Sequence, residues 1–297
     1  MAEATLEPTA VRKAGVAGRN PILDVLFRIL KSPIGAASMV VLSVLVLAAI
    51  FAPMLGDPYA SSADTFARPS LDHPFGTDDI GRDQLARVLH GARISLKVGF
   101  IATFFGCIIG AIVGMISGFV GGWIDLAVQR IVDAMLAIPG IVLALFFVSV
   151  FNPSVETGMA AIVLVIIPFN SRVIRSAVLA TKESVYVEAA RSIGATPVRV
   201  LLRHVLPNIV APILIMMSTV LGAAILIEAG LAFLGMGAQP PTPSWGLMLS
   251  GPGRRFMEIA PWLAYFPAAA ISLTVLAFNL LGDVVRDVLD PRLRGSR

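Results

Sequence analysis

Long apolar runs constrain this chain more than any other feature. A hydrocarbon core of about 30 Å needs roughly 20 residues of helix rising about 1.5 Å each. The sequence offers such runs at Ile34–Leu55, Leu96–Phe119, Leu126–Val150, Gly158–Ile174, Ile209–Leu231 and Trp262–Val285. The fourth is the shortest and carries Pro168. Of the 297 residues 57% are hydrophobic and 14% charged, and the mean hydropathy is +0.85. Soluble domains carry about 25% charged residues. The expected fold class is therefore all-α: a polytopic membrane protein with about six transmembrane helices. The first apolar run begins only near Ile34 and lacks a small-residue cleavage site, so it is expected to be a retained anchor rather than a signal peptide.

The net charge of +4 and pI near 9.6 fit basic loops that fix orientation better than they fit nucleic acid. Arg12, Lys13, Arg19, Arg28 and Lys31 precede the first run; Arg172, Arg175, Lys182, Arg191, Arg199 and Arg203 flank or occupy the segment between the fourth and fifth. Arg286, Arg292, Arg294 and Arg297 follow the last. All three regions are expected to be cytoplasmic. The conflict lies between the first two runs, where Arg68, Arg82, Arg87, Arg93 and Lys97 fall on the expected outer side. Within that segment Thr77 and Asp78 read as helix caps, Ile80, Leu85, Val88 and Leu89 as an apolar face, and His90-Gly91 as a stop. A short amphipathic helix at the outer interface is the expectation.

In the second run Gly106, Gly110, Gly114 and Gly118 recur every four residues, a small-residue face for close helix packing within the chain or against a partner. The polar stretch Glu188-Ala189-Ala190-Arg191-Ser192-Ile193-Gly194-Ala195 reads as a helix capped by Ser184 and ended by Gly194. Thr196-Pro197 then starts a second helix with Val200, Leu201 and Val205 as an apolar stripe and Arg199 and Arg203 opposite. Ala189 and Ala190 give a low surface beside the Glu188 charge. Such a helix pair fits a docking element or an ordinary solvated loop. Pro207 marks a turn or membrane entry.

The motifs carry a family resemblance. His73-Pro74-Phe75-Gly76-Thr77-Asp78-Asp79-Ile80-Gly81-Arg82-Asp83, Gly91-Ala92-Arg93-Ile94-Ser95-Leu96 and Leu234-Gly235-Met236-Gly237-Ala238-Gln239-Pro240-Pro241-Thr242-Pro243-Ser244-Trp245-Gly246 resemble the dipeptide/oligopeptide/nickel group of ABC importer permeases. So do Asn279-Leu280-Leu281-Gly282-Asp283, the tail Leu289-Asp290-Pro291-Arg292-Leu293-Arg294, and the Glu188–Pro207 stretch, which resembles the group's "EAA" loop. The match runs from about residue 30 to the end and is closest to the "C" type subunit.

The resemblance implies a type I ABC importer permease fold. It divides the chain into a cytoplasmic tail (1–33), a first transmembrane helix (34–55), an extracytoplasmic segment (56–91), a transmembrane domain (92–288, with its coupling loop at about 175–207) and a C-terminal tail (289–297). It implies a second, non-identical permease, two ATPase subunits that bind ATP and Mg, an extracytoplasmic binding protein and a peptide substrate, all in a bacterial inner membrane. Glu188, Ala189, Ala190, Gly194, Leu206 and Pro207 would be the ATPase-coupling residues. One stretch departs from the group's pattern: Ile167-Pro168-Phe169-Asn170-Ser171 stands where an aromatic-and-glycine stretch is common.

No Gly-x-x-x-x-Gly-Lys-Ser/Thr loop occurs, so the chain is expected to be no enzyme itself and to bind no cofactor. Glu228 and Trp245 are candidates for pathway or partner contacts, and Arg130 and Asp133 for an i, i+3 pair. The single cysteine, Cys107, and the scattered His73, His90 and His204 predict no metal site. The alternatives are nickel or another small solute as cargo, an ion-coupled secondary transporter, and a membrane enzyme.

Overall fold

The structure, a computed structural model, describes residues 21–289. The basic residues expected at Arg12, Lys13, Arg19, Arg292, Arg294 and Arg297 lie outside the described residues. Among those described there is no strand, and five helices are long and apolar enough to span a bilayer, or six with one bent pair.

Helix α1 (Pro21–Lys31) lies within the expected tail; Leu23, Leu26, Phe27 and Leu30 are exposed while Asp24 pairs with Arg28 at 2.8 Å. Such an amphipathic helix fits a membrane surface. Ser32 caps α2 (Pro33–Leu55), with Pro33 in the first turn.

Helix α3 (Gln84–Val120) overturns the expected outer amphipathic helix. Asp83 caps it through its carboxylate, 2.9 Å from the Ala86 N–H, and it runs unbroken through His90 and Gly91. Gly91 is not a stop: its missing side chain makes room for the Trp245 ring. Thr77 and Asp78 cap no helix, and Ile80 lies before α3.

The third apolar run, expected as one span, is two helices. α4 (Gly122–Leu136) and α5 (Gly140–Phe151) meet at 92°. Pro139, without an N–H, cannot continue the ladder. A capping box of Ser154 and Thr157 starts α6 (Val155–Lys182), which is far longer than the short run expected and passes through Pro168.

α3 and α6 run parallel and in close contact along the glycine face, which settles that face as packing within the chain. A side chain at Gly106 would stand 2.7 Å from Ile166 Cβ, at Gly110 2.8 Å from the Ile167 carbonyl, and at Gly114 against the Ser171 carbonyl. α9 (Leu206–Phe233) returns antiparallel and α11 (Trp262–Leu289) packs beside it. Gly222 faces Asn279, and Gly282 faces Ser218.

Residues 56–83 form a platform at one end of the bundle. The buried Asp78 carboxylate accepts from the backbone N–H of Ile80 and Arg82 and from Arg82 Nε at 2.6 Å, with Arg87 Nε 3.7 Å away. Gln84 Nε2 donates to the Leu263 carbonyl and Trp262 Nε1 to that of Thr77, both at 3.2 Å. Phe75 stacks on Phe266 at 3.8 Å. These contacts fasten the platform to the start of α11.

Candidate functional site

The insert sits at the opposite end. α7 (Val185–Ser192) is short and α8 (Pro197–Val200) shorter. Gly194 joins them at φ +86°, the left-handed region where a Cβ is costly. Thr196 caps α8 as expected, its hydroxyl accepting from the Arg199 N–H. Ser184 does not use its side chain as a cap; its hydroxyl donates to the Thr181 carbonyl.

Pro207 is no turn. α8 continues through a π-helical segment (Leu201–Val205) into α9, giving one helical run from Pro197 to Phe233. Pro207 cannot donate to the Arg203 carbonyl, and the wider π turn absorbs that lost bond. Asn208 Nδ2 donates to the His204 carbonyl at 2.7 Å.

The underside of the insert is a closed apolar cluster. Val187, Val200, Val205 and Ile209 pack on Ala111, Ile174 and Val178 of α3 and α6, and Ala190 is buried as well. Ala190 therefore faces inward, against the expectation that it shares an outer surface with Ala189. Glu188 and Ala189 are exposed, Leu206 half-buried and Pro207 exposed. The insert also exposes apolar side chains: Val185 and Ile193 are 81% and 88% exposed, and Tyr186, Val198 and Leu202 are also exposed. Arg191, Arg199 and Arg203 are exposed on the same insert, and exposed apolar side chains gathered among charges are the usual form of an interaction surface. The sequence did carry that signal, in apolar residues that the inward stripe leaves over.

Ion pairs brace the neighbouring ends of α4 and α6. Arg175 makes a two-pronged bond to Asp125, at 2.6 and 2.5 Å, and Ser117 donates to the same carboxylate. Lys182 Nζ donates to the Gly118 carbonyl at 2.8 Å. Asp133 pairs with Arg172, not with Arg130 as its spacing suggested, because α6 passes on that side of α4.

The two remaining candidates are interior. Trp245, at the start of α10 (Trp245–Met248), is fully buried and donates from Nε1 to the Val88 carbonyl at 2.9 Å. It is an internal clamp, neither a partner contact nor an interfacial anchor. Glu228 is 5% exposed, on the face of α9 turned toward α3 and α6. Its Oε2 has no hydrogen-bond partner among the described residues and borders a cavity of about 10 Å³ with Val98, Ile162 and Leu231. In this conformation no partner can touch it.

The profile of the family described as "Binding-protein-dependent transport system inner membrane component" matches residues 110–295, and that of the "N-terminal TM domain of oligopeptide transport permease C" matches residues 20–73. The chain is 41% identical over 278 residues to the dipeptide transport system permease protein DppC of Alkalihalophilus pseudofirmus, covering 93% of this chain and 91% of that one. It is 46% identical over 264 residues to the glutathione transport system permease protein GsiD of Escherichia coli, covering 88% and 86%. Among solved structures the inward-facing MetNI methionine ABC transporter superposes with TM-score 0.56 at 22% identity, over 68% of this chain and 95% of the other; that likeness concerns the fold. The helical bundle, the insert and these matches agree: the chain belongs to the family of binding-protein-dependent transport system inner membrane components and is a membrane-spanning permease subunit of an ATP-driven ABC importer.

Proposed function

We propose that this permease forms half of a pathway for di- or oligopeptides, and that a separate ATPase grips it at the insert between Lys182 and Pro207. The cargo rests on the names of the dipeptide and glutathione permeases to which the chain is similar. The docking site rests on one observation above all: Val185, Ile193 and Val198 are exposed on the same insert as Glu188, which stands on a buried apolar cluster. A surface built that way offers a partner a firm, pre-formed contact instead of a loop that must first be ordered.

In this reading Glu188 pairs with a cation of the ATPase, Ala189 lets the two surfaces approach, and Gly194 sets the angle between α7 and α8. Leu206 and Pro207 join the insert to α9. The insert and both tails face the cytoplasm, and the platform faces a binding protein outside. A second, non-identical permease completes the pathway, and the paired ATPases carry ATP and Mg while this chain hydrolyses nothing. When ATP closes the ATPases, the insert moves with them and the helices exchange inward-open for outward-open. Release of cargo then requires that the two states differ in affinity for it.

The test is the double substitution Glu188→Ala with Gly194→Trp, made in the assembled transporter. ATPase co-purification and uptake of a labelled dipeptide into vesicles are expected to be lost, while helix content and membrane insertion stay unchanged. Normal uptake by the double variant would sink the docking assignment. Uptake that excludes dipeptides and longer peptides in the unaltered transporter would sink the cargo assignment alone.

A further inference from the structure

Five basic residues crowd the segment between the first two spans, and importer function leaves some of them without a task. Arg82 and Arg87 are accounted for by Asp78. Arg93 and Lys97 are not: they lie one turn apart on α3, are exposed, and make no ion pair among the described residues.

Both line a groove of about 570 Å³ between α2 and α3. Val46 and Ile50 of α2 and Phe100 of α3 form its apolar wall, and Tyr59 stands at its edge. Among the described residues no carboxylate lines it.

The depth of the groove follows from α3. Its 37 residues extend about 55 Å, well beyond a hydrocarbon core of about 30 Å. At its far end the charges of Asp125, Arg175 and Lys182 lie level with Ser117 and Gly118, which marks one membrane boundary. Counting back roughly 20 residues places the other boundary near Lys97. The two cations therefore sit at headgroup level and the apolar wall beneath them sits among acyl chains.

We propose that this groove holds an anionic phospholipid, its phosphate against Arg93 and Lys97 and an acyl chain along Val46, Ile50 and Phe100. Charge and shape favour a lipid over the other occupants. A peptide would bring an ammonium group, for which the groove offers no acid. A helix of another subunit would have to bury two cations and supply acids to match them. A phospholipid satisfies both halves of the groove at once, and the proposal does not depend on which cargo the importer carries.

The test uses the complete transporter in nanodiscs of equal phosphatidylglycerol and phosphatidylcholine, with retained lipid read by native mass spectrometry. Phosphatidylglycerol is expected to be retained preferentially. Arg93→Gln with Lys97→Gln should lower that preference about 30-fold, two cations' worth near an anionic surface. The charge-keeping pair Arg93→Lys with Lys97→Arg should preserve it. Ile50→Trp should fill the apolar wall and abolish retention with both cations in place, which keeps the proposal open to refutation if the double Gln variant fails to assemble. Equal retention in the Gln or Trp variants, no preference for phosphatidylglycerol in the unaltered transporter, or a cross-link from Lys97 to another subunit would each overturn it.

Discussion

Gly114 and Gly194 lack a side chain for different reasons, and the difference is measurable. At Gly114 a Cβ would collide with the Ser171 carbonyl, a backbone atom of the paired helix, so Gly114→Val must push α3 and α6 apart. That replacement is expected to cost about 3 kcal/mol or more, beyond ordinary overpacking, and to lower the thermal midpoint of the purified protein sharply. At Gly194 an added Cβ would meet nothing within 4 Å among the described residues, and only the positive φ resists a side chain. Gly194→Ala is expected to cost about 1–2 kcal/mol, confined to the turn, with the bundle's midpoint nearly unchanged. Equal midpoints for the two variants would refute this. Glu228 makes a third case. A buried carboxylate without a counter-charge is costly, so Glu228→Gln keeps the shape while removing that cost, and stability should hold or rise. Glu228→Lys should prevent assembly, as judged by recovery from detergent. A loss of uptake in a stably folded Gln variant would instead give the acid a part in transport.

Two elements show what spacing alone can and cannot reveal. The run Leu126–Val150 has the length of a span, and length is what hydropathy measures; the break at Pro139-Gly140 was visible in the residues but outweighed by the apolar count. The extra length of α3 was hidden for the opposite reason. Residues 84–95 are too polar to read as part of a span, yet Asp83 starts the helix there and Trp245, Leu263 and Pro58 satisfy its polar groups through contacts distant in sequence. The insert was the most legible element, because Gly194 and Thr196-Pro197 fix its turns locally. Its inward Ala190 was not, since a small residue fits either face. The α4–α6 pairing was illegible for the same reason as α3: Asp125 and Arg175 are fifty residues apart. That pair is expected to be worth about 2 kcal/mol, between an exposed and a fully buried ion pair. Arg175→Met should lower stability by that amount, and Arg175→Lys by less, since lysine keeps the charge but loses the two-pronged geometry. Thermal unfolding of both variants checks this, and equal losses would mean that geometry contributes nothing.

At the scale of the molecule, the insert and the platform are joined by helix alone. From Pro197 the chain runs as helix to Phe233, roughly 55 Å at a helical rise, through the π-helical segment and past Pro212. Its insert end is locked into the cluster of Val187, Val200 and Val205, and its far end carries Glu228 and reaches the buried Trp245 region through Ala229. A force applied at α7 therefore has a stiff route along α9, while the ion pairs of Arg172 and Arg175 offer α4 a second route through α6. The two routes can be separated. Inserting two glycines between His204 and Val205 softens the junction, each glycine costing about 1 kcal/mol of helix stability. It leaves Glu188, Val185 and Ile193 unaltered. If α9 is the lever, the altered permease should still bind its ATPase and ATP should still be hydrolysed, but uptake should fall to background because movement of the insert no longer reaches the far end. Substituting Arg175→Met in the otherwise unaltered permease should reduce uptake only partly. If the glycine insertion leaves uptake intact while the Arg175 variant loses it, force travels through α4 and α6, and α9 is a passive wall.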